Sequence, residues 1–247
     1  MSESIEAGAL YVVSTPIGNL GDISTRAVQI LSNVDLIAAE DTRTTKVLLN
    51  HFGITTPLIS FFSHNESRRV PELIEKLRAG RSVALVTDAG TPGVSDPAFS
   101  IVRAAIASGR RVIPVPGASA LLAALVASGL PMDRFLFEGF LPVKKGRRSL
   151  LEDLRSEERT IVLYESPHRL RRTLDDLLQV LGNRRIAVGR EMTKKFEEVL
   201  RGTITEVREE FRKKEPRGEF VIVVAGNDPR SGRRDKDPTE DAHGKEE

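Results

Sequence analysis

Short runs of β-branched and aliphatic residues alternate along the chain with longer segments whose apolar residues recur every three or four positions. This alternation predicts an α/β protein layered around mostly parallel sheets. The strands expected are Leu10–Ser14, Leu36–Ala39, Leu58–Phe61, Val83–Thr87, Arg111–Val115, Phe135–Gly139, Thr160–Tyr164, Ile186–Arg190, Val199–Ile204 and Phe220–Ala225. Ten strands point to two sheets. Helical periodicity is clearest over Arg26–Leu31, Val70–Leu77, Ala98–Ala107, Ala118–Ala127, Leu170–Leu181 and Glu206–Lys213. Gly80, Gly109, Gly129 and Gly182 stand just beyond four of these, where a left-handed terminating residue is wanted. A full β-α set has closed by Val115-Pro116-Gly117, which places a boundary between an N-terminal α/β domain, residues 1–117, and a C-terminal one, 118–227. The charged stretch 228–247 offers almost no apolar anchor and is expected to be disordered.

Composition narrows the chemistry. The chain has no cysteine, which removes disulfides, zinc–thiolate sites, iron–sulfur clusters and thiol nucleophiles together. His51, His64, His168 and His243 show no HxxxH or HExxH spacing, so a histidine-built metal site is not expected. The longest nearly apolar stretch, Ala118–Leu130, is broken by Ser119, Ser128 and Gly129 and is shorter than the roughly 20 residues that span a bilayer. The acidic start Met1-Ser-Glu-Ser-Ile-Glu is unlike a secretory signal, so a cytoplasmic protein is expected. The net charge of +2 is unevenly spread: five Lys/Arg and seven Asp/Glu follow from Asp228, leaving the preceding residues at +4. Their cations cluster at Arg68-Arg69, Lys144-Lys145-Gly146-Arg147-Arg148, His168-Arg169 with Arg171-Arg172, and Arg184-Arg185. Such runs are either solvated faces or seats for a polyanion.

Five expected strand ends carry unusual loops: Ser14-Thr-Pro-Ile-Gly-Asn-Leu-Gly, Thr87-Asp-Ala-Gly-Thr-Pro-Gly-Val-Ser-Asp-Pro, Val115-Pro-Gly-Ala-Ser, Tyr164-Glu-Ser-Pro-His-Arg and Gly189-Arg-Glu-Met-Thr-Lys. In open parallel sheets ligands bind beyond the carboxyl ends of strands, so the loops are expected to converge. None is a dinucleotide fingerprint, a P-loop or a nucleophile elbow, which disfavours ordinary NAD and NTP binding and serine hydrolysis.

Several of these strings, together with Ala39-Glu-Asp-Thr-Arg43 and His64-Asn65-Glu66, make the chain up to about Gly226 resemble the ribosomal RNA small-subunit methyltransferase I family. The resemblance implies a two-domain tetrapyrrole-methylase fold with S-adenosylmethionine in the interdomain cleft, a homodimer, and 2'-O-methylation of a cytidine ribose in the decoding region of 16S rRNA within the small ribosomal subunit. Under that reading Asp88 serves a hydroxyl or the amino group of the cofactor, with Gly90, Thr91 and Gly93 letting the chain pass close. Ser119 and Ala120 open an apolar helix toward the methionyl carboxylate, Pro16 shapes the first loop, and Tyr164 with Glu219 borders the adenine. Asp41 with Arg43, and Glu191, are the candidates at the reacting end, beside Glu40. Arg68, Arg69, Lys144, Lys145, Arg147, Arg148, His168 and Arg169 are the candidates for RNA contact. The competing structural readings are that Asp88 caps its own turn, Ser119 is a plain helix cap, and Asp41–Arg43 is a surface pair of little energetic value. Two further functions fit parts of the pattern: a methyltransferase acting on a tetrapyrrole, and a non-catalytic RNA-binding assembly factor.

Overall fold

A computed structural model describes residues 4–96 and 98–227. The stretch 228–247, expected to be a disordered tail, lies outside the described residues. Contacts divide the chain into two compact units, one running to Ala123 and completed by Arg190–Glu198, the other formed by Ala124–Gly189 and the chain from Val199 onward. The division therefore falls a few residues beyond the expected 117/118 boundary, inside a helix, and a nine-residue segment returns to the first unit.

The first unit holds β1 (Leu10–Val13), β2 (Leu36–Ala39), β3 (Leu58–Ser60), β4 (Val83–Val86) and β5 (Val112–Val115) in the order β3-β2-β4-β1-β5. Every pairing in it is parallel. The sheet is buried on both faces because successive residues go to opposite layers. Tyr11, Val13, Ile37, Ala39, Ala84 and Val86 pack with α1 (Thr25–Asn33) and α2 (Thr42–His51). Leu10, Leu36, Ala38, Val83 and Leu85 pack with α3 (Glu66–Arg78) and α4 (Phe99–Ala107). Capping fixes where α1 begins, with the Ala27 N–H donating to Ser24 Oγ at 3.0 Å. Such a cap contributes about 1 kcal/mol. The apolar α5 (Ala120–Ser128) follows β5.

The second unit holds β6 (Phe135–Phe140), β7 (Thr160–Glu165), β8 (Arg185–Arg190), β9 (Glu198–Thr203) and β10 (Phe220–Val224) in the order β6-β7-β10-β8-β9, a few of these end residues counting with the first unit. β6 runs parallel to β7, with a register shift between Phe137 and Gly139, while β10 runs antiparallel to β7. This sheet is therefore mixed, where mostly parallel sheets are expected. Its core is formed with α6 (Arg147–Asp153), α7 (Pro167–Leu181) and α8 (Ile204–Lys213), through Leu151, Leu174, Leu177, Val207 and Phe211 among others. α8 begins in a capping box between Thr203 and Glu206.

The expected strands are all present, within one residue at each end. Gly80, Gly109, Gly129 and Gly182 all adopt positive φ after helices, as anticipated. Two helices, α2 and α6, show no clear periodicity in the sequence. α2 opens with three threonines, Thr42, Thr44 and Thr45, which are poor helix formers, and is held by the Asp41 cap and by burial of Thr45, Leu48 and Leu49. α6 is short and buries an arginine on the face where an apolar residue would signal a helix. Among the described residues, no helix is long and apolar enough to cross a membrane.

Candidate active site

Parallel pairing brings the carboxyl ends of β1, β2, β4 and β5 to one edge of the first sheet. β1 and β4 are neighbours whose outgoing connections lead to opposite sides, toward β2 and toward β5. That divergence opens the crevice where such sheets take ligands. The loops over it are stitched together. The Thr15 N–H donates to Gly90 O at 2.8 Å and the Gly90 N–H returns a bond to Thr15 O at 3.1 Å. Thr15 Oγ1 donates to Thr87 O at 3.1 Å. The Ser14 N–H donates to Val115 O at 3.1 Å, while Ser14 Oγ and Thr91 Oγ1 lie 2.8 Å apart, and Thr91 Oγ1 donates to Ala118 O at 3.3 Å. The β1, β4 and β5 loops therefore form one seam of backbone and small hydroxyls.

Glycine is needed where these loops touch. A Cβ on Gly117 would lie 2.9 Å from Ser14 Cβ, and Gly90, at φ +88°, has Ile17 Cγ2 3.4 Å from where its Cβ would be. The returning segment closes over the same loops: the Lys194 stem covers Gly18 so closely that a Cβ there would fall 2.2 Å from Lys194 Cγ. Lys194 Nζ pairs with Glu191 Oε1 at 3.0 Å. Glu191 and Thr193 both have positive φ, at 50° and 67°, and with Ser95 are the non-glycine residues found there among those described. Strained backbone of this kind persists where the surroundings over-determine it.

Carboxylates gather beside the seam. Thr87 Oγ1 donates to Glu40 Oε2 at 2.5 Å, the Asp41 N–H donates to Asp88 Oδ1 at 3.0 Å, and the Gly93 N–H donates to Asp96 Oδ1 at 2.6 Å. Asp88 thus braces the β2 loop, and among the described residues its carboxylate takes no N–H of its own turn. Desolvation, reinforced by the Glu40 charge, pushes the Asp88 and Asp96 carboxyls above the usual carboxylate range. Asp41 goes the other way. Its carboxylate caps α2 through the Arg43 N–H at 2.8 Å and takes the Arg43 guanidinium at 2.6 Å, which lowers its pKa to about 2.

The raised pKa of Asp88 has a sign that can be tested. A carboxyl that holds its proton more tightly folded than unfolded makes stability fall as pH rises from the ordinary value of 3.8 through the raised one. Asp88→Asn keeps the acceptor for the Asp41 N–H and removes the charge. Thermal melts should find this variant more stable than the parent at pH 7 and indistinguishable from it near pH 3. Equal melting temperatures at both values would show that Asp88 is not held against its charge.

The sequence candidates fall in both units. Pro16, Asp41, Arg43, Asp88, Gly90, Thr91, Ser119 and Ala120 lie on the loops at the carboxyl edge of the first sheet or the helices they open, with Glu191 on the returning segment; Ala120 begins α5 and Ser119 O accepts the Ala123 N–H at 2.9 Å. Tyr164 and Glu219 belong to the second unit: Tyr164 meets Phe137 and Phe140 edge-on at 5.0 and 5.6 Å, and Glu219 precedes β10 opposite the end of β7. Of the basic candidates, Arg68, Lys144, Lys145, Arg148 and His168 are exposed. Arg69 is bound to Glu72 at 2.6 Å, and Arg169 donates to Leu141 O and lies 3.3 Å from Glu165. Arg147 requires correction as an RNA contact. Its side chain is 5% exposed and its guanidinium is spent internally, on Asp176 Oδ2 and Thr173 Oγ1, each at 2.8 Å, and on Pro142 O. Ser14, Thr15, Thr87, Gly117 and Lys194 also belong to this site without being among the sequence candidates; for Ser14 and Thr87 a small hydroxyl directly after a β-branched strand is the readable signal. Among the described residues, no group of three or more His, Cys, Asp or Glu is placed to hold a metal.

Comparison with known proteins agrees with this architecture. Residues 9–208 match the model of the Tetrapyrrole (Corrin/Porphyrin) Methylases. Ribosomal RNA small subunit methyltransferase I of Synechocystis sp. is 55% identical over 90% of this chain and 80% of its own length, and that of Thermotoga maritima 48% identical over 90% and 100%. Among solved structures, cobalt precorrin-4 methyltransferase superposes with a TM-score of 0.64 at 18% identity, covering 88% of this chain and 95% of its own. Uroporphyrin-III C-methyltransferase of Thermus thermophilus, complexed with S-adenosyl homocysteine, does so at 0.62 and 20%, covering 88% and 97%. With a matching family model over most of its length and close relatives in several bacteria, the chain belongs to the ribosomal RNA small subunit methyltransferase I family, within the tetrapyrrole methylases.

Proposed function

We propose that this protein transfers the methyl group of S-adenosylmethionine to the 2'-oxygen of a cytidine ribose in the decoding region of 16S rRNA, acting on the small ribosomal subunit in the cytoplasm. The observation that carries the reading is the seam of the β1, β4 and β5 loops, in a chain whose close relatives are named as small-subunit rRNA methyltransferases. The seam suits the cofactor on its own terms. Gly90 and Gly117 let the β1, β4 and β5 loops come together as closely as the seam requires. Asp88 Oδ2 has no hydrogen-bond partner among the described residues and is ready to accept from a ribose hydroxyl or an amino group. Ser119 and Ala120 present the opening turn of α5, and the amino end of a helix suits a carboxylate.

When bound, S-adenosylmethionine supplies a methyl group on a sulfonium, and the sulfur leaves as a neutral thioether. The chain's contribution is alignment, which accounts for much of the acceleration in an in-line displacement. Asp41, with a pKa of about 2, is a weak base and stays ionised across the working range. Its work is to orient Arg43, whose side chain is 90% exposed and reaches outward to hold a phosphate beside the target ribose. The hydroxyl proton leaves to water or to a nearby carboxylate, for which Glu191 is the candidate. We also assign the active form as a homodimer: α5 is apolar on every side yet leaves Leu122 and Val126 at 50% and 62% exposure, a face suited to burial by a second copy.

Incubating the protein with labelled S-adenosylmethionine and unmodified small subunits should label a single cytidine at its 2'-oxygen. Label on a base, or none on RNA, would overturn the reading. Asp41→Asn should lower single-turnover methylation and, since Arg43 is no longer held by a charge, RNA affinity by no more than one phosphate contact, while cofactor affinity stays close to that of the parent. A parental rate in Asp41→Asn would reduce the Asp41–Arg43 pair to a helix cap.

A further inference from the structure

Between α6 and α7 the second unit carries a groove of about 330 Å³ with a cationic wall. Lys144, Arg148, Arg155 and Arg172 line it, against the carboxylates of Glu152 and Asp176. The carboxylates do not neutralise this wall. Asp176 is taken at 2.8 Å by the buried Arg147 and lies 3.8 Å from Arg172, which is 62% exposed. Glu152 is 3.5 Å from Arg155, whose Nε is fixed on Val180 O at 3.2 Å. Lys144 and Arg148 have no side-chain partner among the described residues.

The interior explains why the groove keeps its shape. Arg147, one position before Arg148, points inward and joins α6 to α7 through Asp176 and Thr173. Thr173 Oγ1 in turn donates to Glu165 Oε2 at 2.5 Å, at the end of β7. α6 and α7, which carry Arg148 and Arg172, with Lys144 just before α6 and Arg155 just after it, are thus pinned from beneath, and exposed cations on a pinned frame lose less freedom on binding than cations on a loose loop.

We propose that the α6–α7 groove is the seat for the phosphodiester backbone of the RNA substrate, with Lys144, Arg148, Arg155 and Arg172 as its phosphate contacts and Arg147 as the internal residue that positions them. This rests on the reading of the protein as an rRNA methyltransferase. It adds Arg155 and Arg172, removes Arg147 from the contact surface, and gives the RNA one defined track on this unit. Polar side chains on the backbone of a nucleic acid fix register and orientation without reading bases. The seat therefore sets where the RNA lies and leaves the choice of nucleotide to other contacts.

The test uses the whole protein and unmodified small subunits, with binding measured over a series of salt concentrations and calorimetry of S-adenosylmethionine alongside. The variants are Lys144→Ala/Arg148→Ala, Arg155→Ala/Arg172→Ala, and Arg134→Ala as an exposed arginine of the same unit outside the groove. Each groove pair should weaken subunit binding about tenfold or more and flatten the salt dependence by about 1 per cation removed. Cofactor affinity and melting temperature should match the parent, and Arg134→Ala should bind as the parent does. If the parent binds and methylates subunits and both groove pairs do so with its affinity and salt slope, the groove inference is overturned and the methyltransferase reading stands. A loss in Arg134→Ala equal to that in the groove pairs would also overturn it, since overall charge would then suffice. If the parent itself neither binds nor methylates subunits, both fall.

Discussion

Arg147→Ala is expected to destabilise the second unit by about 3 kcal/mol, the lower end of what breaking a buried ion pair costs, whereas Arg148→Ala, its neighbour, should stay within about 0.5 kcal/mol of the parent as an exposed substitution. The contrast follows from where the two guanidiniums go. Arg147 is 4% exposed as a residue and meets Asp176, Thr173 and Pro142 O; removing it leaves the Asp176 carboxylate half-buried without its principal partner and opens a void between α6 and α7. The partner's remaining exposure, 28%, keeps the expected cost at the low end. Urea unfolding of the two variants beside the parent gives the measurement. Coincident midpoints for Arg147→Ala and the parent would mean that water replaces the lost contacts without penalty, and the frame proposed for the groove would lose its physical basis.

Gly117→Val should weaken S-adenosylmethionine binding about 5- to 150-fold, the equivalent of the 1–3 kcal/mol that overpacking costs. The Cβ would sit 2.9 Å from Ser14 Cβ, an atom that cannot rotate away, so the β1 and β5 loops must part. Parting them pulls on the Ser14–Thr91 contact at 2.8 Å and through it on the β4 loop that carries Asp88. Titration calorimetry is the measurement, with circular dichroism to confirm that the sheet is intact. Parental affinity in this variant would separate the seam from the cofactor site.

Much of the candidate site was legible because the residues that build it are small, hydroxylic or glycine and directly follow β-branched runs. Thr87-Asp88-Ala-Gly90-Thr91 announces a strand that ends in a close backbone approach, and the structure places it in such an approach. The roles of the charged residues were less legible. Asp41 reads equally well as a catalytic carboxylate or a helix cap, and only the positions of the Arg43 N–H and guanidinium reveal that it is bound to both. The Lys144–Arg148 run reads as uniformly basic and exposed, yet helical geometry turns Arg147 inward between two neighbours that face solvent.

What the sequence determined by itself is local: which segments are strands or helices, where glycines end them, and which strand ends carry ligand-approaching loops. Periodicity encodes these because it reports which side of an element is buried, and burial on one side follows from residue type alone. Tertiary structure alone decided that β10 lies antiparallel beside β7, that Arg190–Glu198 completes the first unit, and that Arg147 is a brace and not a phosphate contact. Each of these depends on a partner tens of residues away. The free energy of such a contact resides in the pairing of two distant groups, so neither stretch of sequence carries a sign of it until the chain has folded.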